Sequence, residues 1–216
     1  MSKRLDVLMI SHGDADHRGG AESVLARYPS ARLLGTNAGS RHAEPCRSGD
    51  QWWWDGVHFE VLHPPVDVRM EDDNSSSCVL RVTAGSTRVL LPGDIEAVTE
   101  YQLARRGEPG TADLVLAPHH GSRSSSTPDF VQATQARFTV FSTGFRNRWH
   151  FPATEVVARW AGSGTCLLDT AVEGSLQFDA TVADGLRLTR RWRDAAPGIW
   201  LARPTRRCIV APDQGK

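Results

Sequence analysis

Six residues near the start of the chain, His12-Gly13-Asp14-Ala15-Asp16-His17, place two imidazoles and two carboxylates almost side by side. Carboxylates two residues apart repel each other, and a divalent cation removes that repulsion. The competing reading is a polar turn that caps a helix through Asp14 or Asp16. A cap needs one such side chain and not four, so metal binding is the better reading.

The same arrangement recurs downstream. Asp94 follows Leu90-Leu91-Pro92-Gly93, and His119-His120 follow Leu114-Val115-Leu116-Ala117-Pro118. Phe138-Thr139-Val140-Phe141 leads to Asn147, Trp149 and His150. Each polar set leaves an apolar strand, and in an open α/β sheet such strand ends converge on one edge. Asp94 is the natural bridging carboxylate of a dinuclear centre. Two divalent ions about 3.5–4 Å apart would activate a water and stabilise both oxygens of an in-line displacement at phosphorus. Mixed oxygen and nitrogen donors suit manganese, zinc or iron.

The elements that must position these residues follow from periodicity. Residues 5–10 read as a buried strand and 19–28 as a helix with Ala21, Val24, Leu25 and Tyr28 on one face. Arg32–Gly35 completes a β-α-β step. Gln51–Trp54 and Val57–Leu62 form a hairpin around Asp55-Gly56. Its three tryptophans suggest base stacking or, preferably, alternate packing with one ring at the surface. Cys78–Val82 and Thr87–Leu91 are a second hairpin, followed by a helix over about 96–106. Another helix covers Glu155–Trp160. Leu167–Thr170 and Gly174–Phe178 read as a strand pair, and Leu186–Trp192 as an edge strand with a basic outer face.

Bulk properties narrow the function classes. The chain has 216 residues, 25 basic and 25 acidic side chains and a formal charge of zero. Any basic binding surface is therefore local. No apolar run reaches the length of a membrane span, and the first residues are expected to lead into a strand rather than to form a signal peptide. The four cysteines, Cys46, Cys78, Cys166 and Cys208, form no Cys-x-x-Cys pair, which argues against a zinc finger; their spacing leaves their pairing open. No linker divides the chain.

Ser11-His12-Gly13-Asp14-Ala15-Asp16-His17, with Gly19-Gly20, resembles the first metal motif of the metallo-β-lactamase fold, usually His-x-His-x-Asp-His. Here Asp14 replaces the second histidine. Together with the Trp-Asp-Gly-Val hairpin, Ser77-Cys78-Val79-Leu80-Arg81, Leu91-Pro92-Gly93-Asp94-Ile95-Glu96 and His119-His120-Gly121-Ser122, the pattern resembles the C-terminal domain of ComEC-type DNA-internalisation competence proteins. The match runs in order from about residue 5 to 192.

The resemblance implies an α/β fold, the αββα sandwich of that family. The family's sandwich begins with a β-hairpin layer upstream of the first motif. This chain starts about four residues before the motif strand, so a fragment lacking that layer is expected, with an exposed apolar edge. The expected organisation is one domain over 1–202 and a flexible tail over 203–216.

The resemblance also implies a manganese-dependent nuclease, with zinc as the alternative metal. Asp16 and His17 would bind one ion with bridging Asp94 and a histidine of His119-His120. His12 and Asp14 would bind the other. Asp16, Asp94 and His120 form the expected catalytic set. Asn74, Ser122, Arg123, Asn147 and His150 form the expected substrate-binding set, Asn74 standing where the family has an extra histidine. Arg123, Arg146 and Arg148 read either as solvated loop residues or as phosphate contacts. Implied partners are DNA and the channel and OB-type domains of a longer protein. That parent is expected in the bacterial inner membrane, with this domain on its outer side. Two other readings stay open: a small-molecule phosphodiesterase of the same fold, and a degenerate docking module.

Overall fold

The structure, a computed structural model, describes residues 4–36, 43–66, 72–181 and 184–195. The chain runs β1 (Val7–Ile10), α1 (Ala15–Arg18), α2 (Ala21–Arg27), β2 (Arg32–Gly35), β3 (Gln51–Trp54), β4 (Val57–His63), β5 (Val79–Ala84) and β6 (Thr87–Leu91). It continues through α3 (Ala97–Arg105), β7 (Leu114–Leu116), α4 (Pro128–Thr134), β8 (Phe138–Phe141), α5 (Thr154–Gly162) and β9 (Cys166–Asp169). Last come α6 (Thr170–Glu173), β10 (Leu176–Thr181), β11 (Gly185–Arg191) and α7 (Trp192–Ala195).

Strands β3 to β9 form one seven-stranded sheet in sequence order. Its first half is antiparallel hairpins; from β6 onward the strands are parallel. The change follows from the connections, because α3, α4 and α5 are crossovers that return the chain to the same edge. Side-chain alternation then gives the sheet two buried faces. Leu90, Val115 and Leu167 point to the helix face, where they pack with Leu103, Phe130 and the fully buried Trp160. Val89, Leu114, Phe138, Val140 and Leu168 point to the other face.

That second face is covered by two small sheets. The β10–β11 hairpin lays Leu176, Phe178, Leu186 and Leu188 on β7, β8 and β9. The parallel pair β1–β2 lies over the hairpin half, where Met9 meets Val61, Leu80 and Trp52. Helix α2 closes the outside through Ala21 and Leu25 against Ile10 and Leu33. The layers are thus helix, sheet, small sheets, helix: an αββα sandwich.

Several expectations need correction. The helix expected over 19–28 is α2, and a short helix that was not expected, α1, precedes it across Gly19-Gly20. Leu167–Thr170 and Gly174–Phe178 do not pair; β9 pairs with β8, and β10 pairs with β11. Helix α4, capped by Thr127 and led by Pro128, is an element that the periodicity reading missed. Two tryptophans rather than one reach the surface: Trp53 and Trp54 are exposed, while Trp52 stacks on Phe59. Turn residues Asp55 and Gly56 both have positive φ, as a two-residue hairpin turn requires. The expected tail 203–216 lies outside the described residues. Cys46 and Cys78 form a disulfide that ties the segment before β3 to the start of β5.

Candidate metal centre

Three loops meet where β1, β6 and β7 end, and backbone bonds fix them together. The Ser11 carbonyl accepts from Cys78 N–H at 2.8 Å and from the Thr36 hydroxyl at 2.8 Å. Asp94 N–H donates to Ser77 Oγ at 3.1 Å, and His119 N–H donates to the Gly93 carbonyl at 3.2 Å. Gly93 has φ +61, and a Cβ there would sit 3.0 Å from the Cβ atoms of both Ser11 and Ser77. Only glycine lets the Asp94 loop approach this closely. His119 and His120 are consecutive left-handed residues, at φ 47 and 54. Such backbone strain is uncommon outside functional sites.

Four imidazoles aim their Nε2 atoms at the Asp94 carboxylate, at 3.9 Å (His12), 3.2 Å (His17), 3.8 Å (His119) and 3.5 Å (His120). Each Nδ1 has a partner behind it. Ser11 Oγ stands 3.1 Å from His12 Nδ1 and 3.0 Å from His17 Nδ1. His119 Nδ1 donates to Glu96 Oε1 at 3.0 Å, and His120 Nδ1 donates to the Ser142 carbonyl at 2.8 Å. The Glu96 carboxylate and the Ser142 carbonyl only accept, so they select the tautomer of His119 and His120 whose Nε2 lone pair faces the centre, the usual support behind metal-binding histidines; the Ser11 hydroxyl serves either tautomer of His12 and His17. Asp14 Oδ2 lies 3.5 Å from His12 Nε2, and Asp16 Oδ2 lies 3.3 Å from His120 Nε2.

Burial and mutual charge shift three of these groups. Burial, helped by neighbouring His17, pulls the His12 imidazole below the usual histidine range despite the acidic groups nearby. At His17 burial acts downward as the largest influence. The Asp94 hydrogen bond and the charges of Asp94, Asp16 and Asp14 together outweigh it, and its pKa rises. Burial would raise Asp94, but the hydrogen bond from His17 and the charges of His120, His17 and His119 hold it below the ordinary carboxylate range. His12 Nε2 is fully buried and has no hydrogen-bond partner. The Nε2 atoms of His17 and His120 face each other at 3.2 Å, a separation that needs a shared proton or cation. A buried orphan nitrogen, converging lone pairs and a buried carboxylate fit divalent cations. The ligand atoms of His12, His17 and Asp94 lie within 4.8 Å of one another, as do those of Asp16, His17 and His120.

The sequence model of the Metallo-beta-lactamase superfamily matches residues 1–144. The chain belongs to that superfamily. This metallo-beta-lactamase domain is 36% identical over 178 residues to Recombination protein 2 of Haemophilus influenzae, covering 81% of the chain and 22% of that protein. It is also 36% identical over 181 residues to Competence protein ComA of Neisseria gonorrhoeae, covering 82% of the chain and 25% of that protein. The chain thus spans about a quarter of the length of these curated relatives. Among solved structures, a CmlA beta-hydroxylase variant superposes with a TM-score of 0.52 at 15% identity, covering 78% of this chain and 44% of that one. That likeness shows the fold alone.

Within the metallo-beta-lactamase frame, the predicted residues separate into two groups. His12, Asp14, Asp16, His17, Asp94, His119 and His120 all meet at the centre. Asp14 does occupy the N-cap position of α1, but its side chain makes no capping hydrogen bond. It lies beside His12 instead. Asn74 reaches the border of the centre: its Nδ2 is 3.5 Å from Glu96 Oε1, and its buried Oδ1 has no partner. Ser122 is buried against Ser124.

The remaining predicted residues stand apart from the metal donors. Arg123 is exposed and paired with Glu155 at 2.7 Å. Asn147 uses its amide inside its own loop, accepting from Phe151 N–H and donating to the Gly144 and Phe151 carbonyls. His150 is exposed at φ 57, and among the described residues its ring has no bond to the centre. Two contributors were missed by the sequence reading. Ser11 and Glu96 hold the histidines from behind; the signal for Glu96 was its place two residues after Asp94.

Proposed function

We propose that this chain is the metal-dependent phosphodiesterase domain of a DNA-uptake protein and that it hydrolyses DNA phosphodiesters. The observation that carries this reading is the convergence of four imidazole Nε2 atoms on the buried Asp94 carboxylate. The names of the Haemophilus and Neisseria relatives bring in recombination and competence, and with them DNA.

Asp16, His17 and His120 would hold one ion and His12 and Asp14 a second, with Asp94 between them. Bound divalent ions would polarise the phosphate and make water a nucleophile at neutral pH. The mixed donors suit manganese, zinc or iron, and the resemblance to ComEC-type domains makes manganese the first choice. The chain's own residues set the geometry for this. Asp94, fixed by Ser77, presents a carboxylate to both sides, and His120, fixed by the Ser142 carbonyl, presents its Nε2 to the centre. Asn74, beside Glu96 at the border of the centre, is placed to orient substrate.

In this reading the domain belongs to a longer protein with channel and OB-type domains in the bacterial inner membrane. It lies on the outer side and degrades the DNA strand that does not enter. The Cys46–Cys78 disulfide supports an oxidising compartment. No helix among the described residues is long and apolar enough to cross a membrane. Replacing Asp16 or Asp94 with alanine should abolish manganese-dependent degradation of single-stranded DNA; unchanged activity in both variants would overturn the reading.

A further inference from the structure

The loop between β8 and α5 begins and ends at the double histidine. At its start the Ser142 carbonyl holds His120 Nδ1, and at its end the Phe151 ring lies 5.7 Å from His119 and 6.4 Å from His120. Between these anchors runs Phe145-Arg146-Asn147-Arg148-Trp149. Asn147 ties the loop internally through its three amide bonds. Arg146 and His150 take left-handed backbone conformations within it. The loop is therefore built to a fixed shape, and that shape turns large aromatic rings to solvent. Phe145 is 69% exposed and Trp149 is 60% exposed.

Each of these rings carries a guanidinium. Arg146 lies over Phe145 at 5.3 Å, and Arg148 lies over Trp149 at 4.1 Å. Arg193 approaches Phe145 from α7 at 6.0 Å, and next to it the exposed Trp192 lies under Arg190 at 4.3 Å. Among the described residues, Arg146, Arg148 and Arg190 have no carboxylate partner. Clustered exposed rings mark an interaction surface, and exposed arginines with no carboxylate partner are available to an anion. Stacked bases and phosphates would satisfy both at once. The chain's net charge is zero, so this local basic surface is not a by-product of overall composition.

We infer that the Phe145–Trp149 loop, extended by Trp192, is a platform for single-stranded DNA: unpaired bases stack on Phe145 and Trp149, while Arg146 and Arg148 contact phosphates and lead the strand to His119 and His120. The inference rests on the phosphodiesterase reading and deepens it by naming the residues that hold the unpaired strand. In a duplex the base faces are hidden within the stack, so the rings have nothing to stack on.

The test measures fluorescence anisotropy of a labelled thymidine 20-mer, and of a duplex of equal length, with the full chain in EDTA. Single-strand binding should exceed duplex binding. Phe145→Ala with Trp149→Ala should weaken single-strand affinity by roughly tenfold or more. Trp149→Phe, which keeps a stacking ring, should restore part of the loss relative to Trp149→Ala. Arg146→Gln with Arg148→Gln should lower the slope of log affinity against log salt by about 1.4, from ~0.7 per lost phosphate contact. Circular dichroism checks folding, and the arginine pair provides a second route if the aromatic pair misfolds.

Single-strand binding within twofold of wild type in both double variants overturns the inference, as does equal affinity for duplex. Those outcomes with DNA cleavage intact leave the phosphodiesterase reading standing. Ring-dependent binding by a chain that cleaves no diester supports the platform and removes the phosphodiesterase reading.

Discussion

Glu96 accepts a hydrogen bond from His119 Nδ1 at 3.0 Å, so a carboxylate behind the ring sets the direction of His119 Nε2. The same carboxylate oxygen accepts from the Ser124 hydroxyl at 2.8 Å. It therefore joins the β6 loop to the turn after β7. Glu96→Ala should reduce metal affinity by about 10–100-fold while leaving the fold intact. Competition against a fluorescent chelator measures this. Unaltered affinity would assign Glu96 a purely structural contact.

Ser11 supports two imidazoles with one hydroxyl oxygen. With both Nδ1 atoms protonated, as metal binding through Nε2 requires, both N–H groups donate to Ser11 Oγ. Ser11→Ala should release both rings at once. Its metal affinity should fall by tenfold or more, and its loss should exceed that of either Asn74→Ala or Ser122→Ala in the same titration.

His63 gives the fold a pH dependence of known sign. The ring is fully buried; burial is the dominant influence and Arg106 adds to it, so its pKa lies below the usual histidine value despite the Nε2–H bond to the Ser75 carbonyl. The unfolded chain binds this proton more readily than the folded one. Stability from His63 is therefore present above the ordinary histidine value, and is lost as pH falls toward the folded-state value. His63→Gln removes this titration. Urea midpoints at pH 7.5 and pH 5.0 should differ less in the variant than in wild type; equal differences would show that His63 contributes no linkage.

Gly121 follows the two left-handed histidines and has φ +82. A Cβ there would lie 2.7 Å from Pro152 Cβ and 2.8 Å from Phe141 Cδ1. Gly121→Ala should destabilise the chain by about 2 kcal/mol or more through strain and overpacking. The expected readout is a Tm lower by roughly 5 °C. Because the same turn carries His119 and His120, metal affinity should fall with it.

How much of this was legible in the sequence depended on how locally each feature is encoded. The hexad was readable because four donors in six positions have no economical structural use. Asp94 and His119-His120 were readable as polar residues ending apolar strands. Glu96 was not, because its role exists only through His119, 23 residues away. The pairing of Leu167–Thr170 with Gly174–Phe178 failed because proximity in sequence favoured a hairpin. The parallel edge offered by β8 and the separate β10–β11 hairpin decided otherwise. The aromatic loop was visible as residues, but its exposed rings under arginines depend on Asn147 folding the loop back on itself.

The central claim is that Asp94 joins two divalent ions in one centre. Equilibrium dialysis of the full chain against manganese, followed by elemental analysis, tests it most directly. Two ions per chain are predicted for the wild type, falling to one or fewer in Asp94→Ala. Fewer than one ion per wild-type chain would contradict the two-metal centre and leave a docking module as the better reading.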